Sequence, residues 1–211
     1  MTVPEPKAMI GPRFPAEKLE KPTIDDLIDV FEDRMLGWLL RPAEKLMRDP
    51  VEQVAGFALS LSYFEGIWIY ITGLDSKNKS KEYFRKGFVS VFAGGATPDA
   101  LLERVADVLY EDGRCGFFHD AMLRTRVFFG GFHKGSLSVT LPMVDGVIDQ
   151  TGEIASIVVD PGEYLKFLIG HFEKYVKRLR DTSEADLRQK FQEACKLKWD
   201  YEGDPVVVAL A

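Results

Sequence analysis

Apolar residues recur at helical spacing through most of the chain, and cap-forming residues mark where the repeats begin. Thr23 with Asp26 three residues later, and Ser183 with Asp186, resemble capping arrangements. Asp49-Pro50, Thr97-Pro98 and Asp160-Pro161 each set a cap-forming residue before a proline suited to the first helical position. These signals predict helices over about 24–48, 50–73, 97–112, 161–181 and 184–198. Periodicity alone predicts two more, at about 79–92 and 116–125. Gly73, Gly94-Gly95 and Gly113 read as terminators.

One region changes grammar. Arg126 to Val159 holds Val127-Phe128-Phe129, an alternating Leu137, Val139, Leu141, and then Ile154 to Val159, with glycines at 130, 131, 135, 146 and 152. Such alternation between turn residues predicts a small antiparallel β hairpin or meander inserted at about 126–159. Its exposed edge could serve a dimer or a protein partner. The expected fold is therefore mainly α, an up-and-down helical bundle with a β insertion. Residues 1–22 carry Pro4, Pro6, Pro12, Pro15 and Pro22, which favour an extended arm. The bundle is then expected over 23–199 and a tail over 200–211.

The most apolar stretch, Val51 to Ile71, is interrupted by Glu52, Gln53, Ser60, Ser62 and Glu65. It falls short of an unbroken membrane span and reads as a helix buried on most sides. With 46% hydrophobic and 28% charged residues, the 211-residue chain has the makeup of one folded domain with a sizeable core. The formal net charge of −6 argues against an extended surface for coating nucleic acid, though it leaves room for a local basic site. Cys115 and Cys195 form no disulfide framework and no zinc-type set, and no signal peptide is visible before Pro15. A cytoplasmic protein away from membranes is the expectation.

The chain lacks a phosphate-cradling Gly-rich loop, a nucleophile elbow and His-Glu-x-x-His. His119, His133 and His171 lie far apart, so neither a metal site nor a cofactor is expected. The candidate chemistry is Gly113-Arg114-Cys115-Gly116-Phe117-Phe118-His119-Asp120. If a helix opens there, its free N–H groups would favour an anion beside Arg114 and His119. Arginine can brace a phosphoryl oxygen through paired hydrogen bonds, and histidine titrates near neutrality. Together they suit attack of a ribose 2′-hydroxyl on the adjacent phosphate without a metal.

Arg-x4-His is a short pattern, so its surroundings decide its weight. Glu65 sits inside the apolar helix as Tyr63-Phe64-Glu65-Gly66-Ile67-Trp68. A carboxylate there needs a partner, for which Arg114 is suited, unless Glu65 faces a solvated edge or another cation. Asp120 could orient His119, and Arg124 could add a phosphate contact or be an ordinary surface residue. Lys166, Lys174, Lys177, Arg178 and Arg180 make the 161–181 helix basic toward its end, which suits the helix dipole and a solvated face. His171 beside them reads as a packed or surface histidine, and Trp38, Trp68 and Tyr70 as core or interface aromatics.

The run from Leu109-Tyr110 through Arg114-Cys-Gly-Phe-Phe-His119, on a late helix of a bundle, resembles the HEPN superfamily (higher eukaryotes and prokaryotes nucleotide-binding), in particular its uncharacterised bacterial branches. The resemblance spans roughly residues 24–181, with the diagnostic part confined to the Arg-x4-His run. It implies a metal-independent endoribonuclease acting as a homodimer on RNA, often in phage defence or beside a cognate antitoxin. Arg114 would then stabilise the charged phosphorane and His119 would move protons. Where active relatives often carry a polar residue after the arginine, this chain has Cys115. Two other readings remain. One is a non-catalytic HEPN-like module that binds a nucleotide or a protein. The other is a structural bundle in which Arg114 only ties down Glu65.

Overall fold

The computed structural model describes residues 8–131 and 135–199. Helices α1 (Ile24–Arg34) and α2 (Arg41–Met47) are joined by a π-helical turn, Met35–Leu40, into one rod. Thr23 and Asp26 form the reciprocal capping box that starts it. Pro42 explains the wide turn. Its ring would press on the carbonyl four residues back in a regular α-helix, and an enlarged turn ahead of it relieves that pressure.

Helix α3 (Gln53–Thr72) is the centre of the molecule. It buries Phe57, Ala58, Leu61, Phe64 and Ile67 and packs against α2, α4 (Ser80–Phe92) and α8 (Ala185–Trp199). By length and composition alone α3 could cross a membrane, but half of its apolar window is covered by neighbouring elements. Two glycines permit that covering. A Cβ on Gly87 would stand 1.9 Å from the Phe64 carbonyl oxygen, and one on Gly56 would stand 2.7 Å from that of Ala43. Gly73, with φ at +74°, ends α3 as the sequence predicts.

Helices predicted separately at 97–112 and 116–125 form one continuous rod. Helix α5 (Asp99–Val108) leads through a π turn, Leu109–Cys115, into the short α6 (Gly116–Asp120), with right-handed helical backbone at every junction. Gly113 is therefore no terminator. It lets the rod lie against α3, where an added Cβ would meet Leu61 at 2.8 Å. The rod stops at Asp120, earlier than predicted. Ala121 turns left-handed at φ +59°, and the Arg124 N–H bonds back to the Asp112 carbonyl at 3.0 Å.

Among the described residues the insertion holds five strands: β1 (Val127–Phe129), β2 (Leu137–Thr140), β3 (Met143–Val144), β4 (Val147–Ile148) and β5 (Ser156–Val159). Strands β3 and β4 form an antiparallel hairpin around Asp145-Gly146, both at positive φ as a tight hairpin turn requires. The other sheet has the order β1-β5-β2 and is mixed, since β2 runs antiparallel to β5 but β1 runs parallel to it. A purely antiparallel meander was the expectation. Alternation reports which face is buried and carries no information on strand direction. Val127, Ile157 and Val159 bring this sheet into the common core.

Helix α7 (Pro161–Arg180) follows, with the Asp160 carboxylate accepting from the N–H groups of Gly162 and Glu163 as predicted. Three other predicted caps differ. Glu52 rather than Asp49 occupies the cap of α3, because Asp49 and Pro50 form a turn ahead of it; Pro98 itself occupies the cap of α5; and the Ser183 hydroxyl donates to Asp181 rather than capping α8. Within the arm, Met9 bridges Pro15 and a short 3-10 turn covers Ala16–Leu19, so the described part folds onto α1. The buried Asp33 holds it by accepting from the Arg13 backbone at 2.8 Å and from its Nε at 2.6 Å. The predicted tail at 200–211 lies outside the described residues.

Gly87→Ala tests the close approach of α4 to α3. Alanine favours helix by about 1 kcal/mol over glycine, yet the displaced backbone should make the variant less stable by more than about 2 kcal/mol. Thermal or urea unfolding reads the sign directly.

Candidate functional site

Glu65 leaves α3 toward the α4 and α5–α6 rods, and both of its oxygens are engaged. Arg114 Nη2 donates to Oε2 at 3.0 Å, and the Ser80 hydroxyl at the start of α4 donates to Oε1 at 2.7 Å. Glu65 is 14% exposed and Arg114 29%, so the pair sits at the edge of the core, partly shielded from water. Tyr110, one helical turn before Arg114, completes the setting. Its ring lies 5.2 Å from the guanidinium carbon, and its hydroxyl is 3.4 Å from Nη1. Burial raises the Tyr110 phenol above its usual range, so it remains a neutral hydroxyl at neutral pH. The Nε of Arg114 has no partner among the described residues.

His119 lies on α6 in the open, with no hydrogen bond or ion pair among the described residues. The continuous rod removes the helix start expected at this segment, so free N–H groups contribute nothing to an anion site. Five residues of regular α-helix would turn by about 140°, and the wider π turn that holds Arg114 lowers this toward about 100°. Arg114 and His119 of one copy therefore belong to different faces of the rod.

The two supporting residues next to them do something else. Asp120 accepts from Arg124 Nε at 2.9 Å, four residues on, and both are exposed. Asp120 is thus committed to Arg124 and does not orient His119. Arg124, neutralised in turn, offers less to a phosphate. Cys115 is a free, half-buried thiol in the π turn.

A more deeply buried carboxylate than Glu65 is also paired. Asp112, 6% exposed, receives Arg126 Nε at 2.6 Å and Nη2 at 3.0 Å, a fork that clamps the π turn to the start of β1. On the outer side, Arg85 grips Asp107 through Nε and Nη2, and Lys81 reaches Glu111 at 2.7 Å. The α5–α6 rod is therefore bound to its neighbours by a ladder of opposite charges. No sequence signal marks Asp112, because a buried aspartate next to glycine reads as a helix end.

A second polar centre lies on α7. The buried Tyr63 hydroxyl and His171 Nδ1 are 2.7 Å apart. Burial holds the Tyr63 phenol well above its usual range, so it keeps its proton. That hydroxyl has no other acceptor among the described residues, which assigns its proton to the bond with Nδ1. Burial, with Lys174 nearby, lowers the His171 pKa and favours the neutral ring, and with Nδ1 accepting from Tyr63 the ring's own proton belongs on Nε2. His133 lies outside the described residues. Among the described residues no three His, Cys, Asp or Glu side chains converge as a metal-ion set.

The chain matches no family model, no curated protein and no solved structure.

The sign of the His171 effect is fixed by its lowered pKa. The unfolded chain takes up a proton near pH 6.5 while folded His171 still resists, so stability falls with pH through and below that point. Wild type should lose more melting temperature than His171→Gln between about pH 7.5 and 5.5. Equal losses in parallel melts would contradict a buried neutral imidazole.

Proposed function

We propose that the chain is a HEPN-like, metal-independent endoribonuclease, with Arg114 and His119 as its working residues and with residues of two copies meeting at one phosphate. The observation that carries this reading is the contrast between the two side chains. Arg114 is pre-positioned by Glu65 and Tyr110 and keeps its Nε–H unpartnered among the described residues, whereas His119 is exposed and bonded to none of them. A fixed guanidinium suits charge stabilisation, which needs no reorganisation at the moment of reaction. An exposed imidazole can reach a reacting oxygen to take or give a proton.

In the reaction, the ribose 2′-oxygen forms a bond to phosphorus as the bond to the 5′-oxygen breaks. His119 takes the 2′-hydroxyl proton or supplies one to the departing 5′-oxygen, and Arg114 faces the phosphorane oxygens. Because the two residues diverge around one rod, a copy related by two-fold symmetry would supply what the first lacks. Phe118, Met122 and Phe128 are exposed apolar side chains on the segment around His119 and could line such a contact. The setting that the resemblance implies is defence or a toxin–antitoxin pair, in which an antitoxin would be a protein partner.

A second reading rests on the same ion pair. Glu65 already neutralises Arg114, which suits a bundle that binds a nucleotide or protein without cutting RNA.

Single-stranded RNA incubated with the protein in EDTA discriminates between them. Cleavage yielding 2′,3′-cyclic phosphate ends is expected, with His119→Ala at least about 100-fold slower and melting like wild type. Arg114→Lys, which can keep the bond to Glu65, should be similarly slow because it loses the planar fork. Absence of cleavage by wild type, or full activity in His119→Ala, sinks the nuclease reading.

A further inference from the structure

Helix α7 carries an open groove of about 460 Å³, within the range of small-molecule sites. Its wall is Phe167, 44% exposed, whose ring stacks on Phe92 at 4.9 Å and 10°. Its floor is Gly170, where an added Cβ would meet nothing within 4 Å. At one end Glu163 is paired with Lys166 at 3.4 Å. At the other end are His171 and Lys174, which also line an adjoining groove with Trp68 and Arg178.

The two ends differ in what they can accept. Glu163 repels an anion and Lys166 is already compensated. Arg178 is committed to Glu184 at 2.7 Å, and Arg180 to Glu32 and Asp29. Lys174 makes no ion pair among the described residues. Its neighbour His171 is held by Tyr63 with Nδ1 as acceptor, which leaves Nε2–H as the ring's remaining donor.

We propose that this groove binds a small aromatic anion, its ring against Phe167 and its carboxylate or phosphoryl oxygens at Lys174 and the Nε2–H of His171. The stacked Phe92–Phe167 pair supplies a rigid apolar face, and the bare helix backbone at Gly170 supplies the depth for a ring. The anion end holds one uncompensated cation and one neutral donor, so a monoanion or a singly protonated phosphoryl group matches it better than a polyanion. The groove lies on α7 and draws on none of the residues assigned to RNA cleavage, so its fate and that of the nuclease reading are separate.

Calorimetric or NMR titration of the full chain tests this with four probes: benzoate, phenylphosphonate, inorganic phosphate and benzyl alcohol. Saturable binding of benzoate or phenylphosphonate below about 1 mM is expected, and whichever binds tighter names the anion. Inorganic phosphate lacks the ring and benzyl alcohol lacks the charge, so each should bind at least about fivefold more weakly. Lys174→Gln, at an exposed position, should weaken the aromatic anion at least about fivefold. Gly170→Leu plugs the groove in a helix-favouring way and should abolish binding while the melting temperature holds or rises. The proposal is overturned by the absence of saturable binding for both aromatic anions, by benzyl alcohol binding as well as they do, or by both variants binding like wild type.

Discussion

A carboxylate on the most deeply packed helix of a bundle must be neutralised, and in this chain Glu65 is neutralised by Arg114. Much of the rest follows from that bond. It ties the α5–α6 rod to α3 at the place where the rod widens into a π turn, and Ser80 brings the start of α4 to the same carboxylate. Asp112, two residues before Arg114, then receives Arg126, which delivers the chain into β1 and sets that strand beside β5. A single partly shielded charge on α3 thus stands at the join between the helical core and the β insertion.

The surrounding pairs matter less. Lys81–Glu111 and Asp120–Arg124 are exposed, and pairs of that kind contribute on the order of 0–1 kcal/mol each. The close approach of the helices has a different basis. Gly87 and Gly56 bring carbonyl groups of neighbouring helices within reach of positions where any side chain would collide, and dense packing of Phe64, Phe84 and Phe88 fills the space between. Shape holds α3 and α4 together, while charge fixes the rod that carries Arg114 and His119.

How far the sequence could be read follows the range of the interactions. The capping box at Thr23, the Asp160-Pro161 start and the Gly73 stop are local and were readable. The apolar run at 51–71 was readable as a helix, and half of its apolar window is covered by neighbouring elements. The Glu65–Arg114 pair was readable too, because a lone carboxylate in an apolar run demands a cation and few were suitably placed. The continuity of α5 through Gly113 was not, because that glycine serves contact with Leu61 rather than termination. Neither was the parallel pairing of β1 with β5, the Asp112–Arg126 fork or the Tyr63–His171 bond, each of which joins residues distant in sequence or depends on fold geometry. The loss of the expected helix start moves the candidate site from a backbone anion trap to a site made by side chains.

That shift makes the Glu65–Arg114 bond both the structural tie and the device that would aim the guanidinium. A double-mutant cycle on unfolding free energy, using Glu65→Gln, Arg114→Met and the combination, measures it most directly. The two residues should be coupled by at least about 1 kcal/mol, so that the double variant is more stable than the sum of the single losses implies. Losses that simply add, within about 0.3 kcal/mol, would contradict the account.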